Sequence, residues 1–311
     1  KTDMVELLEN SIDIVKFSTA DKELELLLDI DPSMPRFAHI DSIRTKQILA
    51  NLLSNAIKFT QKGEVALKAV YQALDGKKGK LSISVRDTGI GITEDQKEKL
   101  FKSFSQADSS TTRKFGGTGL GLIISQMIAE KMGSKINLDS TPDVSTTFSF
   151  DIFTNFEDGE KLDNTHISGV KRCLIIDDND NNRLILEQML KQWNIESDSC
   201  TNGFEAIKKL EIAQPYDVII CDYDMPYLNG IDTIRLMKDK LKLSIEKQAV
   251  ILLHSSLDDE ELNQKCKELG VRFHLTKPVK SQDLFNYLSH LDQTTETIAK
   301  QETEQTVNAS H

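Results

Sequence analysis

Apolar positions along the 311-residue chain follow two different rhythms. In the first half, helical and alternating patterns are interleaved. From Asp41 to Phe59, residues Ile48, Leu49, Leu52, Leu53, Ala56 and Ile57 recur at helical spacing and predict a helix facing a sheet. Asn51, Asn55 and Lys58 fall at i, i+4 and i+7 and form a polar stripe on another face of that helix. Val65 to Val70 predicts a strand. Leu81 to Arg86 alternates with a period of two, which predicts a half-buried strand ending at Asp87. Further helices are expected near 94–103 and 119–132, and strands at 134–139 and 147–153. In the last of these Phe148, Phe150 and Ile152 alternate inward. Helices on one side of a mixed sheet make an α/β sandwich.

Residues 156–169 are polar and turn-rich without an apolar period, and predict a linker between a first domain over 1–155 and a second over 170–291. The second domain has apolar runs at 172–176, 196–200, 217–221, 249–254 and 271–275, with helices beginning near 181, 203, 230, 258 and 281. Five strands with covering helices predict a doubly wound parallel sheet, whose ligands sit beyond the carboxyl ends of its strands. Asp177 and Asp178 follow the first of those strands and Asp222 the third. Residues 292–311 hold few apolar positions and predict a disordered tail. The chain opens on Lys inside a helical pattern, which points to a portion of something longer.

Charge and cysteine content narrow the classes. A net charge of −11 opposes a nonspecific grip on nucleic acid or a polybasic membrane anchor. With no recognisable reading helix, direct DNA binding is not expected. No apolar run approaches the roughly 18 residues of a spanning helix. Cys173, Cys200, Cys221 and Cys266 form no C-x-x-C pair and read as reduced core residues. The expectation is a cytoplasmic portion, in which any membrane segment of a longer sensor lies outside this chain.

Two glycine-containing segments suggest a nucleotide site. Asp87-Thr-Gly-Ile-Gly-Ile92 follows a strand; taken alone, Gly89 and Gly91 also fit an ordinary turn. In Gly116-Gly-Thr-Gly-Leu-Gly121, alternate glycines at a helix start let backbone amides approach an anion. No Lys-Ser or Lys-Thr follows, so this is not a P-loop. The preceding segment, Ser105 to Phe115, is long and polar and carries Arg113 and Lys114, as a lid over phosphates would.

NLLSNAIKFT (51–60), DTGIGI (87–92), LFKSF (100–104) and GGTGLGL (116–122) occur in the order of the N, G1, F and G2 boxes. Over essentially residues 1–154 the chain resembles the catalytic ATP-binding domain of sensor histidine kinases, which implies an α/β sandwich of the GHKL (Bergerat) type. The resemblance implies that Asn55 binds Mg²⁺, Lys58 a phosphate, and Asp87 the adenine amino group. It implies that Gly89 and Gly91 shape the adenine loop, and that Gly117, Thr118, Gly119, Leu120 and Gly121 form the phosphate end with Arg113 and Lys114 over it. ATP-hydrolysing relatives resemble one another in a Glu four residues before the metal Asn. Here that position is Asn51, which has no basicity for activating water, whereas a neutral imidazole acceptor needs no such base. One departure is Pro142-Asp-Val-Ser-Thr-Thr147, where the family has a glycine-rich turn.

In the second domain three carboxylates at neighbouring strand ends require a neutralising cation. Lys277 follows the fifth strand and Ser255 the fourth. LIIDDN (174–179), CDYDMPYLNG (221–230), HSS (254–256) and TKP (276–278) resemble a response-regulator receiver domain of flavodoxin-like fold. The resemblance implies that Asp222 becomes the aspartyl phosphate and that Asp178 binds Mg²⁺ directly. Asp177 would act mainly through water, and the backbone carbonyl of Asp224 would complete the protein ligands. Ser255 and Lys277 would hold the phosphoryl oxygens, and the bond before Pro278 would be cis. The family's switch aromatic falls on His274, from which we expect weakened or pH-sensitive coupling to the face formed by the fourth and fifth helices.

None of the six histidines lies in the helical, acid-flanked context of a phosphoacceptor. The resemblance therefore implies a partner helical dimerisation domain bearing that histidine, and downstream a histidine phosphotransfer protein or response regulator. Two alternatives stand beside the relay: a nucleotide-binding docking module without turnover, and a standalone ATPase.

Overall fold

The computed structural model describes residues 1–19, 21–100, 120–159, 167, 169–212, 215–241, 248–255 and 260–291. The expected lid with Arg113 and Lys114, residues Gly117, Thr118 and Gly119, the aromatic pair of LFKSF, much of the linker and the tail lie outside them. The chain divides into two compact units, Lys1–Lys161 and Leu162–His311.

In the first unit, β1 (Thr2–Asp3) and α1 (Met4–Lys16) precede β2 (Glu23–Ile30) and β3 (Phe37–Ala38). Helix α2 (Ser42–Phe59) follows, capped by Asp41, whose carboxylate accepts from the Arg44 amide at 3.0 Å. Then come β4 (Lys62–Ala73), β5 (Lys78–Asp87), α3 (Glu94–Leu100), α4 (Leu120–Lys131), β6 (Asn137–Thr141) and β7 (Ser145–Glu157). The sheet order is β1-β3-β7-β5-β4-β2, with β6 also on β7. It is mixed, because β2 runs parallel to β4 while the other pairs are antiparallel. Register places Leu67 beside Val85 and Val85 beside Phe148, so one face of three strands is apolar. That face packs on Ile48, Leu49, Leu52 and Leu53 of α2. Strand β7 runs two residues beyond the expected boundary, because Phe156 is buried and stacks edge-on against Tyr71.

The second unit alternates β8 (Arg172–Ile176), α5 (Asp180–Gln192), β9 (Glu196–Cys200), α6 (Gly203–Ile212), β10 (Val218–Asp222), α7 (Gly230–Leu241), β11 (Ala249–His254), α8 (Glu260–Leu269), β12 (Phe273–Thr276) and α9 (281–291). All strands are parallel, in the order β12-β11-β10-β8-β9. The three central strands are buried on both faces. Leu174, Ile176, Ile219 and Cys221 pack toward α6, α7 and α8, while Cys173, Ile175, Val218 and Ile220 pack toward α5 and α9. All four cysteines are free and buried.

Two strands start later than expected for one reason. After α4, the Gly133 amide bonds to Glu130 and the Ser134 amide to Ala129; after α8, Gly270 bonds to Lys267 and Val271 to Cys266. Both glycines have positive φ. This paired closure of a helix end uses residues that apolar content alone assigns to the next strand. Asn194 closes α5 in the same way, with φ 61°.

Candidate functional sites

The first site forms where α2 ends beside the end of β5. Asp87 is the last residue of β5 and is only 5% exposed. Its Oδ1 accepts from the Gly89 amide at 2.9 Å and lies 3.4 Å from the Thr60 hydroxyl, itself 2.8 Å from the Ala56 carbonyl. Burial raises the Asp87 pKa above its ordinary value, against the opposing Gly89 and Thr60 hydrogen bonds and the Arg86 charge. The loop beyond it is fixed to its surroundings. A Cβ on Gly89 would meet the Phe59 carbonyl at 2.3 Å, and one on Gly91, at φ +66°, would meet the Thr141 carbonyl at 2.3 Å. The Ile90 amide reaches the Phe59 carbonyl, and Ser140 bonds the Ile92 amide at 2.9 Å.

Asn51, Asn55 and Lys58 share one stripe of α2 and are each half-buried. Asn51 is turned toward α4: its Nδ2 donates to Ser125 Oγ at 2.9 Å, and its Oδ1 lies 2.2 Å from where a Cβ on Gly121 would stand. The start of α4 is thus seated on an amide of α2, and a side chain at position 121 would require Asn51 to shift. Lys58 Nζ lies 5.3 Å from the Phe59 ring centroid. Thr60 belongs to a quoted motif, yet nothing in its spacing announces that its hydroxyl faces Asp87.

The second site lies at the carboxyl ends of β8, β10 and β11. Asp177 and Asp222 are buried, Asp178 is exposed, and one carboxylate oxygen from each falls within 4.8 Å of the others. Lys277 is buried among them, with Nζ 2.9 Å from Asp222 Oδ1 and 3.1 Å from Asp177 Oδ2. The Lys277–Pro278 peptide bond is cis, and the Lys277 amide donates to the His254 carbonyl. Asp177 is held further by the Asn179 amide at 2.8 Å and Asn182 Nδ2 at 3.3 Å, and Arg183 donates to its carbonyl at 2.6 Å. Asn179, the N-cap of α5, belongs to a quoted motif, whereas Asn182 and Arg183 in its first turn were not singled out by the sequence. Ser255 is exposed and donates to the Asp224 carboxylate at 3.2 Å. Oxygens so spaced suit a small hard cation, which takes carboxylate ligands at about 2.0–2.1 Å in octahedral geometry.

Residues 40–155 match the family of histidine kinase-, DNA gyrase B- and HSP90-like ATPases, and residues 173–289 match the response regulator receiver domain. The chain belongs to the hybrid sensor histidine kinases: an ATP-binding fold of the GHKL type is followed by a receiver. It is 33% identical over 282 residues to the autoinducer 2 sensor kinase/phosphatase LuxQ of Vibrio cholerae, covering 87% of this chain and 32% of that protein. It is 27% identical to the sensory/regulatory protein RpfC of Xanthomonas campestris pv. campestris, covering 89% and 42%. It is 35% identical to the sensor histidine kinase GacS of Pseudomonas protegens, covering 67% and 23%. The chain thus spans less than half the length of each of these relatives. Among the described residues no helix is long and apolar enough to cross a membrane.

Proposed function

We propose that this chain carries the nucleotide-binding and receiver steps of a phosphorelay. ATP occupies the first site, with its adenine amino group donating to Asp87 and its phosphates toward Asn55, Lys58 and the glycines ending at Gly121. Asn51 positions α4 and supplies no base for water. The γ-phosphoryl group passes to an imidazole nitrogen on a partner helical domain. The P–N bond then breaks as an Asp222 carboxylate oxygen attacks. Mg²⁺ in the carboxylate group of Asp177, Asp178 and Asp222, with the Asp224 carbonyl, supplies charge neutralisation for that transfer. Lys277 balances charge on the phosphoryl oxygens, and Ser255 exchanges its bond to Asp224 for one to the phosphoryl group. The onward acceptor is a histidine phosphotransfer protein or a response regulator.

The observation that supports this reading most is the buried Lys277 shared by Asp177 and Asp222, a phosphoryl-accepting arrangement in the same chain as the Asp87 loop. The test incubates the chain with γ-labelled ATP and Mg²⁺, with and without the helical domain of the same longer protein. Label should appear on the helical histidine and then on Asp222, and the second step should be absent in Asp222→Asn. ATP binding with label on neither protein would favour a docking module. Steady phosphate release by the chain alone would favour an ATPase.

A further inference from the structure

Asp177 is held from the helix that follows it as well as by Lys277. Its Oδ1 accepts from the Asn179 amide at 2.8 Å, and its Oδ2 accepts from Lys277 Nζ at 3.1 Å and Asn182 Nδ2 at 3.3 Å. Asn182 lies five residues beyond Asp177, in the first turn of α5, and is half-buried. Two links fix that turn. Asn179 Oδ1 accepts from the Asn181 and Asn182 amides at 2.8 and 3.1 Å, and Arg183 Nη1 donates to the Asp177 carbonyl at 2.6 Å. The Asn182 side chain is therefore carried on a turn tied to the strand end that bears Asp177.

The two side-chain donors at Oδ2 act differently on the carboxylate. Lys277 brings a positive charge, shared with Asp222 at 2.9 Å, and so competes with a cation for the same acids. Asn182 brings a neutral amide, which fixes the direction of the carboxylate and leaves its charge for the ion. We propose that Asn182 is a positioning residue for Mg²⁺. Its amide holds Asp177 with an oxygen within 4.8 Å of oxygens from Asp178 and Asp222, so that the three acids meet the ion without rearranging. The inference rests on the phosphoryl-accepting reading of this site. It deepens that reading by assigning part of the cation affinity to a side chain that supplies no ligand atom.

The experiment titrates the full chain with Mg²⁺ by calorimetry without nucleotide, and follows phosphorylation by a small acyl phosphate across a range of Mg²⁺ concentrations. Asp178→Asn assigns the heat to the carboxylate group. Asn182→Ala should weaken Mg²⁺ about tenfold, as loss of a group that orients a metal ligand does. The Mg²⁺ concentration for half-maximal phosphorylation should rise by a similar factor, with a smaller change in the rate at saturating Mg²⁺. Alanine is the better helix former, so the variant should fold, checked by thermal melting without Mg²⁺. Asn182→Gln keeps an amide donor on a longer stem and should recover part of the lost affinity. Unchanged Mg²⁺ affinity in Asn182→Ala, or equal losses in the alanine and glutamine variants, would overturn this inference alone. Absence of Mg²⁺ binding by the wild type, or heat that persists in Asp178→Asn, would overturn the reading of the carboxylate site and this inference with it.

Discussion

Asp87 and Asp222 are both buried aspartates at the end of a strand, yet their surroundings treat the charge in opposite ways. Asp87 is met by a backbone amide and a hydroxyl, and burial raises its pKa. Asp222 shares a buried ammonium with Asp177. A carboxylate held by neutral donors suits recognition of an exocyclic amine, which needs an acceptor and no reaction. A carboxylate beside a lysine and two other acids suits attack on phosphorus, where charge must be balanced as it moves. Burial is common to both; the counter-ion separates them, and under the proposed function it separates a reader from a nucleophile.

This contrast can be broken in order of expected effect. Asp222→Asn should reduce phosphorylation by a small acyl phosphate donor to background, read by intact-protein mass. Lys277→Met should cost the receiver about 3–5 kcal/mol in urea unfolding, because it leaves buried carboxylates unpaired. Adding Asp222→Asn to it should recover part of that loss, as groups in one network are not additive. Full additivity would show that the two side chains do not share charge.

In the first unit, Asp87→Asn should weaken ATP binding about 10- to 100-fold, the range of a hydrogen bond to a charged group at about 1.5–3 kcal/mol. Without nucleotide the same variant should be no less stable, because a buried charge is removed. The pH dependence sharpens this. A carboxylate whose folded pKa is raised destabilises the fold when ionised, so its unfavourable contribution fades as pH falls through that raised value. Nucleotide affinity should fall over the same interval, at higher pH than an ordinary aspartate would give, and Asp87→Asn should lack that component in calorimetric titrations. The smallest effect expected is for Asn51→Ala, about 1 kcal/mol in stability from the lost bond to Ser125, with nucleotide affinity falling less than in Asp87→Asn.

Strand-end carboxylates and the glycine turn after Asp87 were legible because chemistry and punctuation coincide there. Asp87 ends an alternating run, and Asp177 and Asp222 end continuous apolar runs. Strand β2 was not legible. Its Leu26, Leu27 and Leu28 are consecutive and all buried, so the segment has no period that distinguishes a strand from a helix. The late starts of β6 and β12 were hidden by Gly133 and Gly270, which close the preceding helices through bonds that hydropathy does not register. Contacts such as Thr60 to Asp87 and Asn51 to Ser125 join residues 27 and 74 positions apart, and only the folded chain brings them together. His274 was legible as an unusual residue at its position, but its neighbour His254 read as the end of a strand.

The Asp87 loop also has a metrical consequence. Gly89 and Ile90 abut the carbonyl that ends α2, and α2 carries Asn55 and Lys58. Asp87, proposed to recognise the base, and the groups proposed for the phosphate side are therefore mounted on segments that touch at the backbone. A nucleotide meets a gauge of fixed length. Lengthening or shortening the tether between base and triphosphate should be penalised symmetrically, and replacing Gly89 by alanine should reset the gauge by separating its two ends.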